Sequence, residues 1–348
     1  MNLNQIKKEI LIIAVFAMLV SCKKKSDDII NPDKKDKLSK DIELVVNGAK
    51  QENLPLYQWS ETYNFLGFGY DVTDKFNDEV SVRASVVDIP LYAASESSRI
   101  NLLRTLESSW TTIQAKNAAD LSEKFSNLFK ETNGLRLFGN TAAKTFPETV
   151  ATDKKYVYGY YSNYSIWKRY TFNYGQTVNN FLTAGFKRDI TLLSAQELIQ
   201  KYGTHVLTGI KIGSKFDVIY QAEAPEGYRE SIIMEGLRYA LKETFGLMSG
   251  HMDDVNLSDL NANSSARIYY SSIGGDISKL KTETINNRLK LNITNWRSST
   301  TEDKARFIGV SDNGLSPLYS FIDDKVKKAE VKSYLEQHLA SKTVNLTN

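Results

Sequence analysis

The sequence predicts an α+β fold, and three features carry that reading. Around residue 203 the apolar period changes. Ala195, Leu198 and Ile199 recur at helical spacing after Ser194, whereas Val206, Thr208, Ile210 and Ile212 alternate with Leu207, Gly209, Lys211 and Gly213. Tyr156, Tyr158 and Tyr160 alternate within a stretch dense in tyrosine, as a strand face does. Elsewhere apolar residues fall at three- and four-residue spacing, which makes the stripe of an amphipathic helix.

At the start of the chain, Lys7 and Lys8 precede an apolar run from Ile10 to Val20. A membrane span needs roughly 20 such residues, so the run suits the core of a secretory signal. It ends at Leu19-Val20-Ser21-Cys22, which resembles a bacterial lipobox. Residues 1–21 are then a cleaved signal, and Cys22 is the lipidated mature N-terminus; the alternative is an ordinary signal with an incidental cysteine. Cys22 is the single cysteine of the chain, so no intramolecular disulfide can form and the fold must hold by burial. Residues 22–40 contain Lys23-Lys24-Lys25-Ser26-Asp27-Asp28 and Lys34-Lys35-Asp36-Lys37, and read as a charged, disordered tether. The Lys-rich run before Ser-Asp-Asp also resembles the tag that places Bacteroidetes lipoproteins on the outer face of the outer membrane. A plain charged linker is the alternative. The expected location is therefore a lipid anchor in the outer membrane, surface-exposed or later released.

The folded part is expected over 41–340, with 341–348 as a tail. Gly67 and Gly69 do not make a nucleotide loop, because the third glycine is missing and no helix opens there. Within 95–145, Ile100, Leu103, Leu106, Trp110 and Ile113 predict one amphipathic helix, and Leu121, Phe125, Leu128 and Phe129 predict another. The run Tyr156, Tyr158, Tyr160, Tyr161, Tyr164, Tyr170, Tyr174 reads as a half-buried sheet face or as an aromatic belt at a membrane interface. Ser194 and Glu197 form a capping-box pattern for a short helix that ends at Gly203. Gly203 can take unusual dihedrals at the turn from helix to strand, and Thr204 and His205 can bond loose backbone groups there. The strand begun at Val206 is expected to run on to Ala222 and to stop at Pro225-Glu226-Gly227. A helix over Arg229–Met248, a polar stretch over Asp253–Ser265 and a strand over Ala266–Ser271 follow. The paired Gly274-Gly275 permits a kink. Ile322, Val326, Ala329, Leu335 and Leu339 stripe a terminal helix.

Tyr202-Gly203-Thr204-His205, followed by Gly209 and Gly213, resembles the Tyr-Gly-Thr-His signature of the membrane attack complex/perforin (MACPF) family. Three further blocks resemble that family in the same order. They are Leu66–Val72 with Ser81–Asp88, the strand before Gly274-Gly275, and Trp296 followed by Pro317-Leu318-Tyr319 and the terminal helix. The chain departs from the pattern at Val206, where an aromatic is usual, and at Gly213-Ser214, where a glycine pair is usual. The resemblance implies a bent four-stranded antiparallel sheet of the MACPF/cholesterol-dependent-cytolysin type, flanked by two helical clusters. It also implies that the clusters can unfurl into amphipathic β-hairpins as many copies close a barrel in a bilayer.

The second cluster has a pattern that suits both states. As a helix, Ile233, Leu237, Leu241, Phe245 and Met248 share one stripe. As a strand, Leu237, Tyr239, Leu241, Phe245 and Leu247 share one face, broken only by Glu243. These five residues are the candidate membrane-inserting set, with a plain core-packing helix as the alternative. The first cluster, 95–145, alternates less well. The expected function is a pore-forming toxin or antimicrobial effector acting on a target membrane lipid or surface receptor as a self-oligomer. A non-lytic adhesin or glycan-binding lipoprotein is the alternative. A formal net charge of +3 gives no footprint for nucleic acid. His205, His251 and His338 lie far apart, so neither zinc spacing nor a catalytic pairing emerges, and no cofactor or enzymatic activity is expected. His205 reads as a structural histidine at the junction rather than a functional contact.

Overall fold

The computed structural model describes residues 43–48, 57–173, 177–247, 265–285 and 288–348. The expected signal, tether and Cys22 lie outside the described residues, as do Tyr174, Met248 and the polar stretch 253–264. The strands run in chain order β1 (Glu43–Gly48), β2 (Phe68–Tyr70), β3 (Val82–Ser85), β4 (Ile100–Ala115), β5 (Tyr156–Phe172) and β6 (His205–Leu207). They continue as β7 (Gly209–Glu223), β8 (Ser265–Ile273), β9 (Lys281–Ile285), β10 (Arg288–Asn292), β11 (Arg306–Val310) and β12 (Leu315–Pro317). The helices are α1 (Ile89–Ser95), α2 (Ala118–Ser126), α3 (Asn140–Ala143), α4 (Ala184–Leu192) and α5 (Ala195–Tyr202). After them come α6 (Arg229–Tyr239), α7 (Thr294–Arg297) and α8 (Lys325–Lys342).

The heart of the fold is an antiparallel sheet ordered β8-β7-β5-β4. Strand β1 lies parallel on the outer edge of β8, and β11 pairs with the first residues of β7. A smaller sheet, β12-β6-β2-β3, gathers the first and last parts of the domain. Bulges interrupt β4 between Arg104 and Glu107 and β5 between Ile166 and Lys168, at matching positions. Aligned bulges bend a sheet there. Along β7 the partner changes near the same line. Lys215–Ala222 pair with β8, whereas Ile210–Gly213 pair with β11.

Neighbouring residues of β5 face opposite sides. On one side Tyr160 packs edge-on to Phe125 of α2 with ring centres 5.1 Å apart, and Phe125 stacks on Phe76 at 4.2 Å. On the other side Gly159 lies under Leu237 of α6. Most tyrosines of this strand serve as buried sheet face: Tyr156, Tyr158, Tyr160, Tyr161 and Tyr170 are buried, and Tyr164 is half-buried.

Several expectations need correction. Residues 100–113 are not a helix but most of the edge strand β4. Their three- and four-residue apolar spacing arises because Leu103, Leu106 and Trp110 stand exposed on that strand. The first helical cluster accordingly begins at Lys116, not near residue 95. The strand after Gly203 is two strands: β6 belongs to the small sheet, and the chain crosses at Thr208 into β7. The block at 66–88 supplies β2 and β3 of the small sheet. In α8 the buried stripe is Val331, Leu335 and Leu339, while Val326 is 79% exposed. Beyond α8, Val344 N donates to Arg136 O at 2.8 Å and Thr347 N to Thr152 O at 3.0 Å, so residues read as a tail dock on the domain.

Gly213 marks the bend. A Cβ there would lie 1.9 Å from Ser165 O of β5, a backbone atom that cannot yield without separating the strands. Gly213→Ala is expected to cost about 3 kcal/mol by overpacking, measured as a lower urea midpoint at unchanged slope. An unshifted midpoint would remove the close approach as the reason for glycine.

Candidate functional site: the helix-to-strand junction and the two inserts

Ser194 caps α5 through its side chain, and Glu197 reaches back to Ser194 N at 2.8 Å, which completes the capping box. The helix ends at Gly203, whose φ of 75° a side chain would strain. Tyr202 Oη donates to Asp189 Oδ2 at 2.8 Å, and burial pushes its hydroxyl pKa up. Lys201, Tyr202 and Arg188 all bond Asp189, with Lys201 the largest influence, and hold its carboxyl at about 2.

Thr204 is fully buried and works with both backbone and side chain. Its N donates to Tyr70 O at 3.0 Å; its Oγ1 donates to the same carbonyl and accepts from Val72 N, both at 3.1 Å. Its carbonyl accepts from Leu318 N at 3.0 Å. Three separate stretches of sequence, 69–72, 202–205 and 317–318, are thus tied at one residue. Gly69 allows the closest approach: a Cβ there would lie 1.8 Å from Tyr202 O. His205 is 1% exposed, and its Nδ1 lies 3.0 Å from Thr204 Oγ1. Burial pushes its pKa down to about 4. The ring is therefore neutral and enclosed, set in β6 between Tyr70 of β2 and Pro317 of β12.

The glycines converge on the bend. A Cβ on Gly274 would lie 2.8 Å from Gly213 O, so these two close in space although far apart in sequence. Gly274 and Gly275 have φ of 74° and 69°, and Trp296 Nε1 donates to Gly274 O at 3.0 Å. Gly209 lies against Gly314, whose carbonyl accepts from the N–H groups of Thr208 and Gly209 at 2.8 and 3.1 Å.

Two inserts interrupt the central sheet, residues 116–155 between β4 and β5 and residues 224–264 between β7 and β8. The register puts Ala115 opposite Tyr158, Tyr156 opposite Glu223 and Ala222 opposite Ala266, so both inserts hang from one end of the sheet. They cover opposite faces. In the second insert Leu237, Tyr239, Leu241 and Phe245 are buried and Leu247 is half-buried. Phe245 meets Phe216 and Tyr270 with ring centres 5.4 and 5.6 Å away. The helix α6 passes into a π-helical turn at Ala240–Thr244. Gly236 is needed where the Tyr220 ring presses on α6, since a Cβ would lie 2.1 Å from Cζ.

Sequence reasoning missed Arg229. Its guanidinium donates to Ala224 O and Tyr156 O, each at 3.1 Å, to Lys116 O at 2.6 Å, and to Lys154 O. The acceptors are backbone groups at the roots of both inserts, so no side-chain pattern in the sequence announces the clasp. The glycines Gly159 and Gly236 were a usable signal, because a glycine inside a strand or helix marks close approach.

The MAC/Perforin domain (MACPF) family matches residues 61–348 of the chain. Among solved structures, the chain is similar to a Bacteroides thetaiotaomicron protein with a MAC/Perforin domain, named for cell invasion. The TM-score is 0.64 at 19% identity, covering 84% of this chain and 63% of that one. It is also similar to GNIP1Aa from Chromobacterium piscinae, with a TM-score of 0.61 at 15% identity, covering 81% of this chain and 57% of that one. The chain therefore spans about three-fifths of the length of these neighbours. At such identities the likeness is one of fold. Among curated proteins none matches.

Two expectations follow from this geometry. The unfolded histidine takes up its proton near pH 6.5 and buried His205 near pH 4. The unfolded chain thus binds the extra proton in that window. This contribution to stability is full above pH 6.5 and falls away as pH drops toward 4, by on the order of 3 kcal/mol. His205→Gln should flatten that part of the stability–pH curve relative to the parent; an unchanged slope would refute the buried neutral ring. For Arg229, Arg229→Gln should raise amide exchange in 116–127 and 229–247 together. Exchange rising in the second segment alone would show that the clasp does not couple the inserts.

Proposed function

The chain belongs to the MACPF family, and on that footing we propose that it is a lipid-anchored surface protein that assembles on a target membrane and inserts both clusters as β-hairpins. One observation carries the proposal: both inserts leave the same end of one antiparallel sheet, one on each face. Extension of β4, β5, β7 and β8 from that end would give a continuous four-stranded ribbon. A lipid-crossing strand takes about 9–11 residues, and residues 116–155 and 224–264 each supply enough for two. In this conformation Leu237, Tyr239, Leu241 and Phe245 bury their side chains on the sheet or beside it; in the ribbon the same residues would share a face toward lipid.

Backbone groups cannot stay unpaired in hydrocarbon, so the ribbon must close with other copies. Among the described residues nothing pairs with the outer edge of β4, while the β8 edge is covered by β1. Assembly through both edges would require β1 to leave β8. The proposed location is the outer membrane surface through Cys22. The proposed role is membrane permeabilisation without enzymatic chemistry.

A non-lytic adhesin is the second reading. It draws on the same β1 cover and on the charges Asp120, Glu123 and Lys124 that break the first insert. A disulfide separates the two. A Cβ on Gly159 would lie 3.2 Å from Leu237 Cβ, near the separation a disulfide spans. With Gly159→Cys and Leu237→Cys combined, release of dye from lipid vesicles should fall to background when oxidised and recover on reduction. Leakage that persists when oxidised would exclude insertion of the second cluster. A parent protein that releases no dye from any vesicle would favour the adhesin.

A further inference from the structure

At the bend of the sheet, away from the inserts, a groove of about 400 Å³ opens between β4–β5 and the end of α7 with the turn after it. Its most exposed apolar group is Trp110, 67% accessible on the edge strand. Asn163 stands opposite Trp110 across the β4–β5 ladder, and Ser108 lies against Ser165 with their hydroxyls 2.7 Å apart. From the far wall Arg297 donates to Asn163 Oδ1 at 3.3 Å, and it forms no ion pair among the described residues. Among the described residues it is also the one charged group lining the groove. A flat apolar ring, a rank of hydroxyl and amide groups and a cation without a carboxylate thus face one space.

We propose that this groove binds a sugar acid, a pyranose carrying a carboxylate. The C–H face of the ring would lie on the Trp110 indole, which loses exposed apolar surface on contact. The carboxylate would take the free N–H groups of Arg297 in the bidentate geometry a guanidinium favours. Asn163, Ser108, Ser165 and Thr300 would bond the ring hydroxyls. The pocket size and its few convergent polar groups suit a ligand of this class. A phosphate group fits less well, because a single cation serves it and the neighbouring hydroxyl groups match a polyol. The inference concerns recognition at a target surface and does not depend on membrane insertion.

The test is titration calorimetry of the intact protein with N-acetylneuraminic acid and glucuronic acid, with glucose and acetate as comparisons. No membrane is present, so the outcome is independent of pore formation. Both acids, or one of them, should bind more tightly than glucose or acetate. Trp110→Ala and Arg297→Ala should each weaken binding about tenfold or more, and Arg297→Lys should recover only part of it. Both side chains are exposed, so the folds of these variants can be verified by circular dichroism. Absence of binding by either acid, equal binding of glucose or acetate, or variants that bind as the parent does would each overturn the proposal.

Discussion

The structure depends on one constraint: the central antiparallel sheet buries side chains on both faces, so each face needs its own cover. Tyr160 and Gly159 are adjacent in β5, yet they meet α2 and α6 respectively. Removing either cover would expose a row of aromatic and aliphatic side chains, each worth roughly 1.5–3 kcal/mol of burial. The covers are not independent modules docked from outside. They are the connections between the strands themselves, which is why both sit at one end of the sheet and why one arginine, Arg229, can touch the roots of both.

A second constraint acts at the opposite end. The bend brings backbones closer than side chains allow, so glycines fall where strands turn and change partner. Gly213 accommodates Ser165 O, Gly274 accommodates Gly213 O, and Trp296 closes the corner through the Gly274 carbonyl. Below the bend, Thr204 ties the two ends of the domain to the junction. A buried network adds to this on one sheet face. Lys215 Nζ donates to Asn77 O at 2.7 Å and pairs with Asp217 at 2.8 Å, and Tyr160 donates to the same carboxylate at 3.2 Å. Such a network is costly to leave half-satisfied and so specifies one arrangement of the strands it links.

Local signals made part of this legible in the sequence. The capping box at Ser194 and Glu197, the stop at Gly203 and the strand at Tyr156–Tyr160 are short-range patterns, and each appears in the structure as read; the alternation after Gly203 is divided between β6 and β7. The edge strand β4 was misread because its exposed Leu103, Leu106 and Trp110 mimic a helical stripe, while its β-branched Thr105, Thr111, Thr112 and Ile113 argue for a strand. Exposure on an edge is a tertiary fact that periodicity does not carry. The contact between Gly213 and Gly274, the split of the junction strand between two sheets and the carbonyl acceptors of Arg229 are equally non-local. The groove at Trp110 likewise takes its residues from β4, β5, β7, α7 and the turn after it.

The helices differ in how firmly their own sequences hold them. α5 has a complete capping box, α8 has Asp324 bonded to Lys327 N, and α2 has Asn117 bonded to Asp120 N. α6 has no side-chain cap at Tyr228 and contains the β-branched pair Ile232-Ile233 and Gly236, then loosens into a π-helical turn. A missing cap is worth about 1 kcal/mol, and an interior glycine costs a similar amount, roughly 1 kcal/mol. Tertiary burial therefore holds this segment helical more than its own propensity does. Its apolar residues at 237, 239, 241, 245 and 247 also satisfy a strand period, so loss of the sheet contact would remove the main reason for helix and leave a pattern suited to either state. In the second insert, unlike α5, the choice between helix and strand thus rests on what the apolar side chains touch.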